Sequence, residues 1–121
     1  MSQFVDTPTK TYPVATAIGK YIRVKLNGSG KLAVAGLTDR AIGVTCDETF
    51  AADENVTVAL MSKQGTMKMT AGAAITEGAV VYGLASGKID DADGGSAVIH
   101  GVALEAAAAD GDIIEVLPAL Q

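Results

Sequence analysis

Short segments in which apolar and polar residues alternate recur along the chain. Residues 55–62 read NVTVALMS and residues 65–70 read GTMKMT, in which Met67 and Met69 fall on one side. Alternation with a period of two is typical of a strand that buries one face. Further strand-like segments lie at 21–26, 31–36, 41–45, 79–84, 96–104 and 112–118. The pattern predicts an all-β domain, either a small β-barrel or a β-sandwich.

The two halves of the chain echo each other. Gly43-Val44 recurs 58 residues later as Gly101-Val102, and the turn sequence SGKL at 29–32 recurs as SGKI at 86–89. A duplication would give two similar β-modules built on one plan. A chain this rich in glycine and alanine also aligns with itself by chance, so both explanations stay open at the level of sequence.

Four consecutive alanines interrupt the strand pattern near the end of the chain, in HGVALEAAAADGDIIEV. The segment between Gly101 and Gly111 is too short for an independent helix. We expect a strand, a compact connection of about one helical turn, and a second strand. The alanines suit close packing against a neighbouring chain, although a loop of small residues would also explain them. The subunit-junction candidates are Ala106, Ala107, Ala108 and Ala109.

Residues 1–15 differ in composition from the rest, because they hold two of the three prolines and two of the five aromatic residues. Proline favours extended neighbours. We therefore predict an extended N-terminal arm at 1–15 and one β-domain at 16–121, with a frayed terminus as the alternative. The residues of the arm expected to make contacts are Phe4, Val5, Tyr12 and Pro13.

Composition narrows the function more than any motif does. The 121 residues carry a net charge of −5, and the nine Lys and Arg are scattered singly. Nucleic acid is therefore not an expected partner, since phosphate backbones need clustered positive charge. No apolar run has the length of a membrane span, and the first residues lack the pattern of a secretory signal. We expect a protein that is made in the cytoplasm and does not bind membranes.

The residues that could carry chemistry form no recognisable set. His100 is the only histidine and Cys46 the only cysteine. A nucleophile needs a base and an orienting group, and structural zinc needs about four ligands. We therefore predict no catalytic residue, no metal site and no cofactor. One alternative is biotin- or lipoyl-type modification at Lys68, because MKM surrounds the modified lysine of biotin carrier domains; the structural reading is an alternating strand.

The order of several segments resembles the capsid cement, or head decoration, proteins of tailed bacteriophages. The similar pieces are IGV at 42–44, VTVAL at 56–60 followed by Gly65, AAITEGAVVYG at 73–83 and the closing HGVALEAAAADGDIIEVLP. The resemblance covers roughly residues 16–118. Each piece is made of common small residues, and their order and spacing carry the resemblance.

The resemblance implies a function and partners. It implies a non-enzymatic virion protein that binds the major capsid protein on the outer surface of the shell and stabilises it, commonly as a homotrimer. It also implies that the N-terminal segment contributes to capsid contact. Besides the carrier domain, a generic β-rich oligomerisation module with no capsid partner remains an alternative.

Overall fold

The computed structural model describes residues 9–61, 65–95 and 98–118. These residues form ten β-strands, and no helix occurs among them, including none that could cross a membrane. The pairings between the strands are antiparallel. The all-β prediction is confirmed. The strands are β1 (Thr9–Pro13), β2 (Arg23–Leu26), β3 (Leu32–Val34), β4 (Gly43–Thr45), β5 (Asn55–Leu60), β6 (Met67–Thr70), β7 (Val80–Gly83), β8 (Ile89–Asp90), β9 (Ile99–Ala103) and β10 (Ile113–Pro118).

The strands form two five-stranded sheets with the same topology. The first has the order β1-β5-β4-β2-β3, and the second has the order β6-β10-β9-β7-β8. Each strand of the second sheet thus occupies the place of the strand five earlier in the first. We call residues 9–60 the first module and residues 67–118 the second module.

The equivalence of the modules extends to individual turns and bridges. Gly30 and Gly87 both have positive φ, 77° and 82°, at the same position of the turn between the second and third strands. Val14 forms a parallel bridge with Leu32, and Ala71 forms the same bridge with Ile89. Agreement in strand order, turns and bridges at an offset of 57–58 residues means that the sequence echo reflects two similar modules.

β1 occupies part of the segment predicted to be an arm. Thr9–Pro13 pairs along its whole length with β5, and Val14 after it is fully buried. Pro13 is tolerated because β1 is an edge strand, where a missing N–H breaks no ladder. The described part of the segment therefore belongs to the first sheet, and we restrict the predicted arm to residues 1–8, which lie outside the described residues.

Two clusters of buried side chains hold the modules together. In β5 and β6 the alternation predicted from sequence buries Val58 and Met69 completely, while Lys68 between the two methionines is exposed. Burying one such side chain contributes about 1.5–3 kcal/mol. The first cluster consists of Val14, Ile18, Ile22, Val24, Leu32, Val56 and Val58. The second consists of Val44, Met61, Met67, Met69, Ala71, Ile75, Val81, Ile89, Ala103, Ala107, Ile114 and Val116.

Val44 belongs to β4 of the first module but packs in the cluster of the second module. Tyr21 and Ala59 of the first module are half-buried against the same cluster. The part of the outward side of the first sheet around Val44 is therefore covered by the second module. This contact, which we call the module junction, joins the two sheets into one body.

Candidate binding surfaces and the module junction

The predicted arm contacts fall into two groups. Phe4 and Val5 lie outside the described residues. Tyr12 and Pro13 lie in β1, opposite Val56 and Asn55 of β5, and both are half-buried. The Tyr12 ring packs against the first hydrophobic cluster. Part of the surface of Tyr12 is thus already used inside the fold, and its contact with a partner stays a prediction.

The alanine-rich segment forms a tight loop that contains no helical turn, contrary to expectation. Ala107 is 5% exposed, and its N–H and C=O both bond to Ile75, each at 3.0 Å. The Asp112 carboxylate accepts the N–H groups of Ala108 and Ala109 at 2.8 and 3.2 Å. The side chain of Asp112 satisfies these amides and so removes the need for a helix.

Three of the four alanines, Ala106, Ala108 and Ala109, are exposed. Their role at a subunit junction stays a prediction. In the first module, Glu54 accepts the N–H groups of Phe50 and Ala51 in the same way, at 2.6 and 3.1 Å. The loop geometry is therefore a property of the module plan, and the alanines are not required for it, since Phe50 stands where the second module has Ala108.

A buried arginine, which the sequence analysis did not single out, crosses the module junction. The side chains of Arg23 and His100 are both completely buried. Arg23 Nη1 donates to His100 Nε2 at 3.0 Å, and Nη2 donates to the Leu84 carbonyl at 2.7 Å and to the Ala35 carbonyl at 3.2 Å. Arg23 Nε donates to the Lys88 carbonyl at 3.2 Å. One side chain of the first module thus binds three residues of the second.

Burial sets the protonation of this pair. Desolvation by burial, together with a smaller effect of the Arg23 charge, lowers the pKa of His100 to about 4. Desolvation also lowers the pKa of Arg23 to about 10, against an opposing effect of Asp39. Arginine has no acceptor, so the Nε2 that receives its hydrogen bond carries no proton. At neutral pH the junction therefore holds a charged guanidinium beside a neutral imidazole.

The close approach of the two modules explains why two positions of the second module are glycine. A side chain at Gly83 would place a Cβ atom 2.7 Å from Arg23 Cζ, and one at Gly87 would lie 2.7 Å from Val34 Cγ1. The missing side chains leave room for the first module to approach. Arg23 itself follows the strand alternation outward, where a charged residue is normally solvated, so no local pattern marks it as buried.

Within the described residues, the side chains that could carry chemistry make structural contacts. His100 bonds to Arg23, while Cys46 is half-buried with its N–H bonded to the Thr57 carbonyl. No group of three or more His, Cys, Asp or Glu side chains within 9–61, 65–95 and 98–118 could hold a metal ion. Lys68 lies in the middle of edge strand β6, with Nζ 5.7 Å from the centre of the Tyr21 ring. Met67, Lys68 and Met69 therefore lie in a strand, as the alternation predicted. A carrier lysine would instead need an exposed hairpin tip.

Two apolar features of the surface can serve binding. The first is the Phe50 side chain, which is 78% exposed on the loop braced by Glu54. The second is a row across the outward side of the second sheet, where Val80 of β7 is opposite Val102 of β9, and Val102 is opposite Leu117 of β10. We call the second-module face the set Val80, Ile99, Val102 and Leu117.

Comparison with known proteins supports one functional class. The family model described as phage cement protein matches residues 6–118. Among solved structures, the N base of the head fibre protein gp8.5 of bacteriophage phi29 superposes with a TM-score of 0.73. That match covers 92% of this chain and 92% of the other at 16% sequence identity, so it establishes a shared fold. Among curated proteins, none matches. The family match spans both modules.

Proposed function

The chain belongs to the phage cement protein family, whose members are capsid-binding structural proteins of the virion, and we propose that it binds the outer surface of a phage capsid and stabilises the shell. The observation that carries the proposal is the family match over residues 6–118, which includes every described strand of both modules. The proposed partner is the major capsid protein, and the proposed route is synthesis in the host cytoplasm followed by addition to the head.

The charge and the exposed apolar groups of the surface support a binding role. Every buried side-chain nitrogen and oxygen atom of the described residues has a hydrogen-bond partner, which is typical of a rigid interior. The net charge of −5 suits the exterior of a particle better than contact with packaged DNA. A role without catalysis needs only a rigid body with exposed contact groups, and Phe50 on its braced loop is such a group.

We assign capsid contact first to the N-terminal segment. Phe4 and Val5 precede the edge strand β1 in the sequence. An extended segment can add a strand to an exposed sheet edge of a partner, and an aromatic anchor adds local affinity of about 2 kcal/mol when buried. Tyr12 and Pro13 would extend this contact from β1, and assembly as a homotrimer would multiply it through avidity.

Co-sedimentation with expanded heads that lack their own decoration protein tests the proposal. Full-length protein should bind saturably, and the decorated heads should survive heating better than bare heads. Deletion of residues 2–8 leaves β1 intact, so the variant should fold while binding more weakly; Phe4→Ser in the full chain separates the aromatic contribution from chain length. No binding of the full-length protein to its cognate shell at high concentration would refute the capsid function. Full binding by the deletion variant would refute only the role of the arm.

A further inference from the structure

The module junction shows what covers the outward side of a sheet of this plan. Val44 of β4 is 1% exposed, Arg23 of β2 is completely buried, and Ala41, just before β4, is 7% exposed. Backbone bonds seal the contact: the Thr70 N–H donates to the Tyr21 carbonyl, and the Arg23 N–H donates to the Gly87 carbonyl, both at 3.0 Å. Val44 and Arg23 point outward from the first sheet, and both are buried against the second module.

Among residues 9–61, 65–95 and 98–118, no segment covers the equivalent side of the second sheet in this way. The offset of 57–58 residues carries Val44 to Val102, whose exposure rises from 1% to the half-buried class. The other three positions, all apolar, are 38–47% exposed. The remaining pairs are Arg23 (0%) with Val80 (38%), Ala41 (7%) with Ile99 (46%), and half-buried Ala59 with Leu117 (47%).

The second-module side of the junction also has an equivalent surface, which lies in the first module and is partly exposed. On the second module, the residues that contact the first module include Gly83, Gly87 and His100, and all three are buried. Their equivalents in the first module are Leu26, Gly30 and Ile42, which we call the first-module socket. Leu26 is 41% exposed, Gly30 is exposed and Ile42 is half-buried against the first hydrophobic cluster. In the described part of the chain, one copy of each half of the junction is therefore left without a partner surface.

The substitutions between the two sets match each other. At the internal junction, the Arg23 guanidinium bonds to His100 and occupies space that Gly83 leaves free. In the open surfaces the guanidinium is replaced by Val80, and its histidine partner is replaced by Ile42. Where Gly83 leaves room, the socket has Leu26, whose side chain would fill the volume given up by the missing guanidinium. A buried polar set thus becomes an apolar set on both halves at once, which keeps the two surfaces complementary.

We propose that the second-module face of one copy docks on the first-module socket of a second copy, in the geometry of the module junction. The interface is head-to-tail, since it joins two different surfaces and leaves one of each at the ends until the assembly closes on itself. Exposed apolar area of this kind marks an interaction site in a soluble protein. The inference deepens the assembly part of the proposed function by naming its two surfaces, and it does not depend on the capsid contact.

Light scattering coupled to gel filtration tests the proposal with the full chain and single lysine substitutions. The wild-type protein should have a mass at least twice the 12.2 kDa of one chain. Val80→Lys and Leu26→Lys should each reduce the mass to that of one chain, because each buries an unpaired charge in one half of the interface. Phe50→Lys is the matched control: it changes a more exposed apolar residue outside both surfaces and should leave the assembly intact.

Mixing the two interface variants gives the decisive result. Val80→Lys keeps an intact socket and Leu26→Lys keeps an intact second-module face, so an equimolar mixture at high concentration should form a dimer containing one chain of each. This outcome also shows that both variants are folded. A monomeric wild-type protein, an assembly that survives both substitutions, or a mixture that stays monomeric would each overturn the proposal. Capsid co-sedimentation is read separately, and its failure would leave the interface standing.

Discussion

Acidification should destabilise this protein well above the pH at which carboxylates titrate, through one residue. His100 is the only histidine in the chain, and it lies completely buried beside the Arg23 guanidinium. Desolvation and the arginine charge lower its pKa from 6.5 to about 4 in the folded protein. The unfolded chain therefore binds a proton more readily than the folded one, so lowering the pH favours unfolding.

The linkage relation gives the size of the effect. The contribution of His100 to stability is fully present above about pH 6.5 and is lost as the pH falls toward the folded-state value of about 4. Between about pH 7 and about pH 5 the free energy of unfolding should fall by about 2 kcal/mol. Asp39, whose pKa is lowered mainly by the hydrogen bond from Lys25, loses its contribution only below its ordinary value of 3.8. It therefore does not contribute to the change in this window.

Urea unfolding followed by circular dichroism at the two pH values measures the change, at one fixed protein concentration because self-association adds to stability. His100→Gln is the control, since the glutamine oxygen can accept from Arg23 but cannot titrate. The variant should lose far less than the wild-type protein between the same two pH values. An equal loss in both proteins, or a wild-type protein with unchanged stability, would refute the assignment of the effect to this buried pair.

Other substitutions test the junction and the surface, each against a matched site. Gly111→Ala and Gly87→Ala both put strain on a positive φ, but only Gly87 faces the other module, so its variant should lose about 1–3 kcal/mol more in urea unfolding; equal losses would argue against a tight junction. Arg23→Met leaves buried acceptors unpaired and should destabilise by about 2 kcal/mol, whereas Arg40→Met at an exposed site should change stability by less than about 0.5 kcal/mol. Phe50→Ser should leave the unfolding curve unchanged and weaken co-sedimentation with heads if the loop touches the capsid.

Much of the fold could be predicted because its signals are local. The alternation in β5 and β6 places Val58 and Met69 inside, and the side-chain period of two makes that assignment insensitive to the rest of the structure. The paired glycines Gly30 and Gly87 were visible as repeated turns. β1 was missed because the two prolines of residues 1–15 are typical of a linker, although Pro13 is compatible with an edge strand. A repeat carried upstream by 57 residues would have aligned this segment with β6.

The binding surfaces could be predicted less well, because they depend on which outward faces are covered. Arg23 and Val80 occupy the same place in their modules, yet one is buried and the other is 38% exposed. The residues next to Arg23 and Val80 in the sequence do not predict this difference in exposure. The candidates in the alanine-rich loop were chosen for their small size. In the structure, hydrogen bonds to the Asp112 carboxylate determine the geometry of that loop.

By itself, the sequence determined the all-β class, the buried face of several strands, the echo between the halves and the resemblance to cement proteins. These properties follow from residue spacing and turn chemistry within short segments. Only the tertiary structure decided that the first sheet packs on the second module, that Arg23 and His100 meet there, and that the described residues leave the second-module face uncovered. Stacking pairs residues far apart in the chain, such as Arg23 and His100, and a buried contact between such residues leaves no periodic trace in either segment.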